Sequence, residues 1–113
     1  MKKWLTLGLL LPNLLFAQEI KVPAGFIVNE IGKNLGATRH ITVSNQGHVY
    51  AKLSKLKDGN GIVQLKDSNQ DGVFDEQMFF GNYPGTGIMM DSEYFYASSN
   101  KGVFRYALNA KGE

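Results

Sequence analysis

Two stretches of this sequence, HITVSNQGHVYA at residues 40–51 and TGIMMDSEYFYA at residues 86–97, share one pattern. Each contains a short apolar run, a polar turn and a second run that ends in Tyr-Ala. Further along, GIVQL at 61–65 is matched by GVFRY at 102–106. The two pairs are offset by 46 and 41 residues. A repeat of about 40–50 residues built from short strands is typical of a β-propeller blade.

Short runs rich in Val, Ile, Tyr or Phe, separated by Gly, Asn, Asp or Ser, predict strands along the chain. No stretch after residue 17 shows sustained helical periodicity. The predicted fold class is therefore all-β, as a β-propeller of which this chain holds only about two blades. The predicted strands are 26–31, 40–44, 48–53, 61–66, 77–81, 87–90, 94–98 and 102–107.

The strands divide into blades by the repeat. A first blade is predicted at about 40–81 and an incomplete second blade at about 87–113. Residues 26–31 would be the outer strand of the last blade, which closes the ring. Because one blade cannot cover both faces of its own sheet, about four to eight must stack into a ring. The domain 18–113 is therefore predicted to be part of a larger propeller.

Residues 1–17 have the order of a secretory signal peptide. Lys2 and Lys3 precede an apolar run from Trp4 to Phe16, and the small residue Ala17 follows. The run is shorter than the roughly 20 apolar residues that span a bilayer. We therefore expect a periplasmic or secreted protein that does not span the membrane after cleavage.

Composition narrows the possible partners. The chain has 12 basic and 10 acidic side chains. Loss of the two signal-peptide lysines would leave these charges balanced. No basic face for nucleic acid is predicted. The sequence has no cysteine, whereas small exported folds usually carry disulfides. This also favours a fragment of a larger protein.

The segment DSNQDGVFDE at residues 67–76 resembles the first half of a calcium loop. Oxygen-bearing side chains stand at its positions 1, 3, 5 and 9, and a Gly stands at position 6. The four candidate calcium ligands are Asp67, Asn69, Asp71 and Asp75. Position 12, where calcium loops carry a bidentate Glu, is Met78. The alternative is a turn in which the same side chains cap backbone N–H groups without a metal.

Arg39 and His40 stand at the start of the first inner strand, at the mouth of the channel. Arg could hold a carboxylate and His could transfer a proton, so both are candidate cofactor-binding residues. The alternative is that Arg39 pairs with a neighbouring acid and His40 only lines the channel. On the remaining surface, His48 is predicted to be exposed, and Lys52 is placed with Lys55 and Lys57 in a solvated loop.

Taken together, these residues resemble the start of the sorbosone/glucose dehydrogenase-like family. The likeness covers about residues 20–108. It is carried by VPAGF at 22–26, LGATRHI at 35–41, GHVYA at 47–51, GIVQL at 61–65, DSNQDG at 67–72, GTGI at 85–88 and GVFRY at 102–106.

The resemblance implies a six-bladed, exported propeller that oxidises small sugars or aldehydes with pyrroloquinoline quinone (PQQ), assisted by calcium, and with a His as base. Two departures stand out. Thr86 occupies the place where that family has its catalytic His, and most of the basic residues that hold the cofactor lie in later blades. We expect this chain alone to be inactive, and its catalytic residues are not identified. A non-catalytic propeller that binds carbohydrate or protein is the alternative.

Overall fold

The computed structural model describes residues 19–113, so the predicted signal peptide, residues 1–17, lies outside the described residues. These residues form seven strands and no helix. No segment of this part of the chain is therefore a helix able to cross a membrane. The strands are β1 (Thr38–Val43), β2 (Val49–Lys57), β3 (Asn60–Lys66), β4 (Glu76–Phe80), β5 (Ile88–Met90), β6 (Tyr94–Ser99) and β7 (Gly102–Ala107).

The seven strands form two antiparallel sheets. One has four strands in the order β1-β2-β3-β4, and the other has three in the order β5-β6-β7. We call them sheet A and sheet B. Within each sheet, every strand pairs with the next one along the chain, since turns such as Ser44–His48 bring neighbouring strands side by side. The all-β prediction and its seven strands after residue 38 are confirmed.

Sheet A carries apolar side chains on both faces of β2. Because side chains alternate along a strand, Val49, Ala51 and Leu53 point to one face while Tyr50 and Lys52 point to the other. The first face packs on Val63 and Leu65 and is covered by partly buried residues. These are Ile31, Leu35, Phe74 and Phe79.

The second face of sheet A packs against sheet B. Tyr50 and Ile62 from sheet A form a buried cluster with Phe95 and Ala97 from β6. The rings of Tyr50 and Phe95 have centroids 5.1 Å apart, within the range of favourable aromatic contacts. The first strands of the two sheets, β1 and β5, also lie in contact. The core therefore has two parts, one between the two stacked sheets and one on the opposite face of sheet A.

Residues 26–31 differ from the prediction. They were expected to form a strand, but they form none in the described residues. Phe26 and Ile27 are 70% and 83% exposed. A strand needs a hydrogen-bonding partner, and the predicted partners belong to a last blade that these residues do not include. Only Ile31, at the end of the segment, packs on sheet A.

Candidate functional site

The channel-mouth candidates Arg39 and His40 both lie on β1. His40 is exposed, and its Nδ1 is 2.7 Å from the carbonyl oxygen of Thr86. A carbonyl oxygen only accepts hydrogen bonds, so Nδ1 carries the hydrogen. In the neutral imidazole, Nε2 is then left as the acceptor. The structure thus brings His40 next to Thr86, the residue that stands where the resemblance would place a catalytic His.

Arg39 is the extra residue of a β-bulge. Thr38 pairs with Leu53 and His40 pairs with Lys52, so β1 has one extra residue, Arg39, between two adjacent positions of β2. A bulge redirects a side chain and is common next to functional sites. Arg39 is exposed and forms no salt bridge with any of the residues that the structure describes. The alternative in which it pairs with a neighbouring acid is therefore not seen in this region.

The fit of this site to the implied cofactor can be judged from its chemistry. PQQ is an aromatic tricarboxylate, and a site for it needs several cationic groups. The exposed groups of Arg39 and His40 offer one guanidinium and one imidazole. Arg39 and His40 therefore do not by themselves form a site that fits the quinone.

The loop between β3 and β4 uses its predicted calcium ligands as caps for its own backbone. The carboxylate of Asp67 accepts hydrogen bonds from the N–H groups of Asp71, at 3.1 Å, and Gly72, at 2.7 Å. Asn69 also accepts from the Asp71 N–H, and Asp71 accepts from Val73. Gly72 adopts a left-handed backbone with φ of 86°, which suits Gly at this point.

Asp75 closes the same loop from its far end. Its carboxylate accepts hydrogen bonds from the backbone N–H of Ser68, at 3.3 Å, and from the Ser68 hydroxyl, at 3.1 Å. These bonds, the backbone one first, lower the pKa of Asp75. Within residues 19–113, no three His, Cys, Asp or Glu side chains are grouped as metal ligands. Calcium binding by this loop stays a prediction, and the loop lies at the opposite end of sheet A from His40.

Lys52 forms a second cluster, which the sequence did not reveal. It lies inside β2, where its side chain is 0% exposed, and not in a solvated loop. Its Nζ donates to the carbonyl oxygens of Tyr83, at 2.6 Å, and Gly61, at 3.1 Å. It also lies 4.2 Å from the centroid of the Tyr83 ring, a cation–π distance. Lys52 thus ties the segment after β4 to the start of β3.

The charge of Lys52 is unusually costly at this position. Burial disfavours the ammonium and lowers the pKa of Lys52 to about 8. No acidic side chain forms a salt bridge with it in the described part of the chain. Among the residues that the structure describes, its ammonium donates to the two carbonyls and lies over the Tyr83 ring. Because it is buried between the start of β3 and the segment after β4, Lys52 connects these two parts of the chain and is not accessible to a ligand.

A groove of about 390 Å³ opens between the outer parts of the two sheets. Its residues come from β2, β3 and β4 on one side and from β6, β7 and the chain end on the other. Among them, Gln64 donates a 2.6 Å hydrogen bond to the Tyr50 hydroxyl. The lining residues are Tyr50, Gln64, Lys66, Glu76, Gln77, Met78, Phe80, Phe95, Tyr106, Ala107, Leu108 and Glu113.

Charged groups line the groove next to the chain end. The ammonium of Lys66 contacts the carboxylate of Glu113, which lies 3.5 Å from Nε2 of His48. The contact raises the pKa of Lys66 and lowers the pKa of Glu113. His48 was predicted to be exposed, but it is buried and its Nδ1 has no hydrogen-bond partner in the described residues. It lies just before β2 on the same face as Tyr50 and Lys52, and its ring faces the carboxylate of Glu113 near the chain end.

Comparisons of this chain with protein-family models, with curated proteins and with solved structures gave no match. The family resemblance therefore rests on the sequence motifs alone.

Proposed function

We propose that sheets A and B are consecutive blades of an exported β-propeller, and that this chain is the amino-terminal part of it. The observation that carries the proposal is the stacking of two meandering sheets with their first strands together. In a propeller, the first strand of every blade lines the central channel, so first strands must be neighbours. The hydrogen bond between His40 and the Thr86 carbonyl joins the two sheets at this inner edge.

Exposed apolar residues on the outward faces of sheets A and B support the proposal that further blades pack on them. On sheet A, Ile41 and Val43 point away from sheet B and are exposed. On sheet B, Met89 and Val103 point away from sheet A and are also exposed. Apolar side chains on both outward faces favour additional sheets that would cover them. Six blades is the number that the family resemblance implies.

For the whole protein, we propose oxidation of a small sugar or aldehyde. The support for this reaction is the run of motifs shared with sorbosone/glucose dehydrogenase-like proteins. When bound, the PQQ and calcium of that family would supply the oxidising chemistry. This chain would contribute exposed groups at the channel mouth: the Arg39 guanidinium for an anionic group, and His40 Nε2 as a hydrogen-bond acceptor for a hydroxyl. The remaining cofactor-holding residues would come from later blades.

A propeller that binds carbohydrate or protein without catalysis is the second candidate. Thr86 favours it, because a threonine hydroxyl does not act as a base at neutral pH. The fixed tautomer of His40 suits recognition of a ligand hydroxyl as well as it suits proton transfer. The two candidates share the site and differ in whether the ligand reacts.

The test uses the complete gene product, loaded with PQQ and calcium and assayed by dye reduction with aldoses and aldehydes. We expect turnover that falls about 100-fold or more in His40→Gln if Nε2 takes a proton, in the range of general-base effects. Thr42→Ser, on the same strand and face, is the matched control and should keep the natural rate. No turnover and no quinone absorbance would exclude the dehydrogenase. Retained sugar binding under those conditions would support the second candidate.

A further inference from the structure

The imidazole of His40 is held by one peptide group, the one between Thr86 and Gly87. The carbonyl oxygen of that group lies 2.7 Å from Nδ1 of His40 and accepts its hydrogen bond. The N–H of the same group belongs to Gly87 and donates to Oγ of Ser98 on β6, at 2.8 Å. In a trans peptide the C=O and N–H bonds point in opposite directions. This peptide group therefore lies between the imidazole and the Ser98 hydroxyl.

Both neighbours of Thr86 are glycines, and both are in close contact with Ser98. A Cβ added at Gly85 would overlap the backbone carbonyl oxygen of Ser98, and one added at Gly87 would lie 2.8 Å from its Oγ. The N–H of Ser98 donates to the carbonyl oxygen of Gly87, at 2.9 Å. Ser98 thus holds this short segment in place, and its hydroxyl is the group that fixes the orientation of the peptide between Thr86 and Gly87.

Without that hydroxyl, this peptide group has a second orientation open to it. Rotation of the peptide plane by about 180° exchanges the positions of the C=O and N–H bonds, as between type I and type II turns. The rotation gives the following residue a positive φ, which glycine adopts readily. In the structure, the φ of Gly87 is not positive. Because Gly87 has no Cβ, its backbone permits the rotated arrangement as well.

The two orientations of the peptide select opposite tautomers of His40. A carbonyl oxygen facing Nδ1 accepts a hydrogen bond, so Nδ1 carries the hydrogen and Nε2 is left as the acceptor. An N–H group facing Nδ1 donates a hydrogen bond, so Nδ1 becomes the acceptor and Nε2 carries the hydrogen. The hydrogen bond made by one ring nitrogen thus decides the state of the other. Only the orientation seen in the structure leaves Nε2 of neutral His40 able to accept from a ligand hydroxyl.

We infer that Ser98 is a positioning residue that selects the tautomer of His40. Its hydroxyl accepts from the Gly87 N–H and so keeps the Thr86 carbonyl facing Nδ1. Nε2 of His40 is thereby kept as the acceptor. Ser98 acts on a ligand through the peptide group and the imidazole. The use of Nε2 by a ligand rests on the proposed function, whereas the choice of tautomer does not.

The test measures the tautomer by NMR in the complete gene product, labelled with ¹⁵N only at its histidines. The chemical shift of a ring nitrogen differs between its protonated and unprotonated forms, and spectra at about pH 9 report neutral imidazoles. The variant His40→Gln lacks the His40 signals and so identifies them. We expect Nδ1–H as the main form in the natural protein. Ser98→Ala should raise the ratio of Nε2–H to Nδ1–H about fivefold or more, the factor that corresponds to one hydrogen bond.

Two further variants separate the role of the hydroxyl from that of the fold. Ser98→Thr keeps a hydroxyl and should keep the ratio of the natural protein. Ser99→Ala is the matched control, because it removes the next hydroxyl along β6, which bonds to the turn at Lys101 and Gly102. It should leave the ratio unchanged. The inference is overturned by an unchanged ratio in Ser98→Ala, by an equal shift in Ser98→Thr or Ser99→Ala, or by Nε2–H as the main form in the natural protein.

The dehydrogenase assay distinguishes this inference from the proposed function. With PQQ, calcium and an aldose, turnover in Ser98→Ala should fall in proportion to the loss of the Nδ1–H form of His40. No turnover in the natural protein would exclude the dehydrogenase, while the tautomer ratio measured by NMR would still decide the role of Ser98.

Discussion

The substitution Gly61→Ala tests the close contact between β3 and the segment that follows β4. A Cβ added at Gly61 would overlap the backbone carbonyl oxygen of Tyr83 and lie 3.1 Å from Nζ of Lys52. The backbone of Gly61 is not left-handed, so space and not conformation requires glycine here. Because the overlapped atom belongs to the backbone, the segment carrying Tyr83 must move away from β3.

The cost has two parts. Moving Tyr83 breaks the 2.6 Å hydrogen bond from Lys52, and a bond with a charged donor contributes about 1.5–3 kcal/mol. Forcing an extra methyl group into a packed site costs about 1–3 kcal/mol more. We therefore expect a loss of about 2.5–6 kcal/mol in the free energy of unfolding. That is a large share of the roughly 5–15 kcal/mol typical of a domain.

Urea unfolding of the purified chain measures this loss, with Gly102→Ala as the matched control. A Cβ at Gly102 meets nothing within 4 Å, and its backbone is not left-handed. The control should stay within about 0.5 kcal/mol of the natural chain. With a slope of about 1–3 kcal/mol per molar urea, the Gly61→Ala midpoint should fall by about 2 M. Equal midpoints for the two variants would refute the contact between Gly61 and Tyr83.

Three further predictions concern ionisable groups. The pKa of Lys52 falls from 10.5 in the unfolded chain to about 8 in the folded chain, so the unfolded chain binds more protons between these pH values. The free energy of unfolding should therefore rise with pH from about 8 to 10. This rise should be absent in Lys52→Met. Ser68→Ala removes the hydroxyl that helps lower the pKa of Asp75, so that pKa should rise when carboxyl carbon shifts are followed by NMR; an unchanged value would contradict the hydrogen bonds in the loop. Lys66→Met should raise the pKa of Glu113 in the same measurement, whereas Lys101→Met, a lysine elsewhere on the surface, should leave it unchanged.

The strands could be predicted because their signals are local. Alternating apolar residues and turns such as Ser44–Gly47 determine where a strand starts and ends, whatever it packs against. The predicted strand 48–53 and the observed β2, Val49–Lys57, begin within one residue of each other. The ends agree less well, since pairing between Lys57 and Asn60 extends the hairpin into the predicted loop.

The buried polar residues could not be predicted because their partners are distant in sequence. The lysine-rich stretch around Lys52 predicts a surface position. Lys52 is buried because the fold brings Tyr83, 31 residues away, over its ammonium. The prediction for His48 was wrong for the same reason, since the group that faces its ring, Glu113, lies far along the chain. One local signal was present. Lys52 lies between Ala51 and Leu53 in a strand whose two faces both pack, so a side chain on either face must be covered.

The segment between β4 and β5 connects these buried contacts to His40 on β1. Tyr83 accepts the hydrogen bond from Lys52, and the N–H of Gly85 donates to the carbonyl of Leu53. One residue later, the carbonyl of Thr86 holds the imidazole of His40. Three hydrogen bonds thus hold the segment 83–86 against sheet A just before the chain enters β5. The orientation of His40 therefore depends on packing around Lys52, because a shift of Tyr83 away from β3 would also displace Thr86.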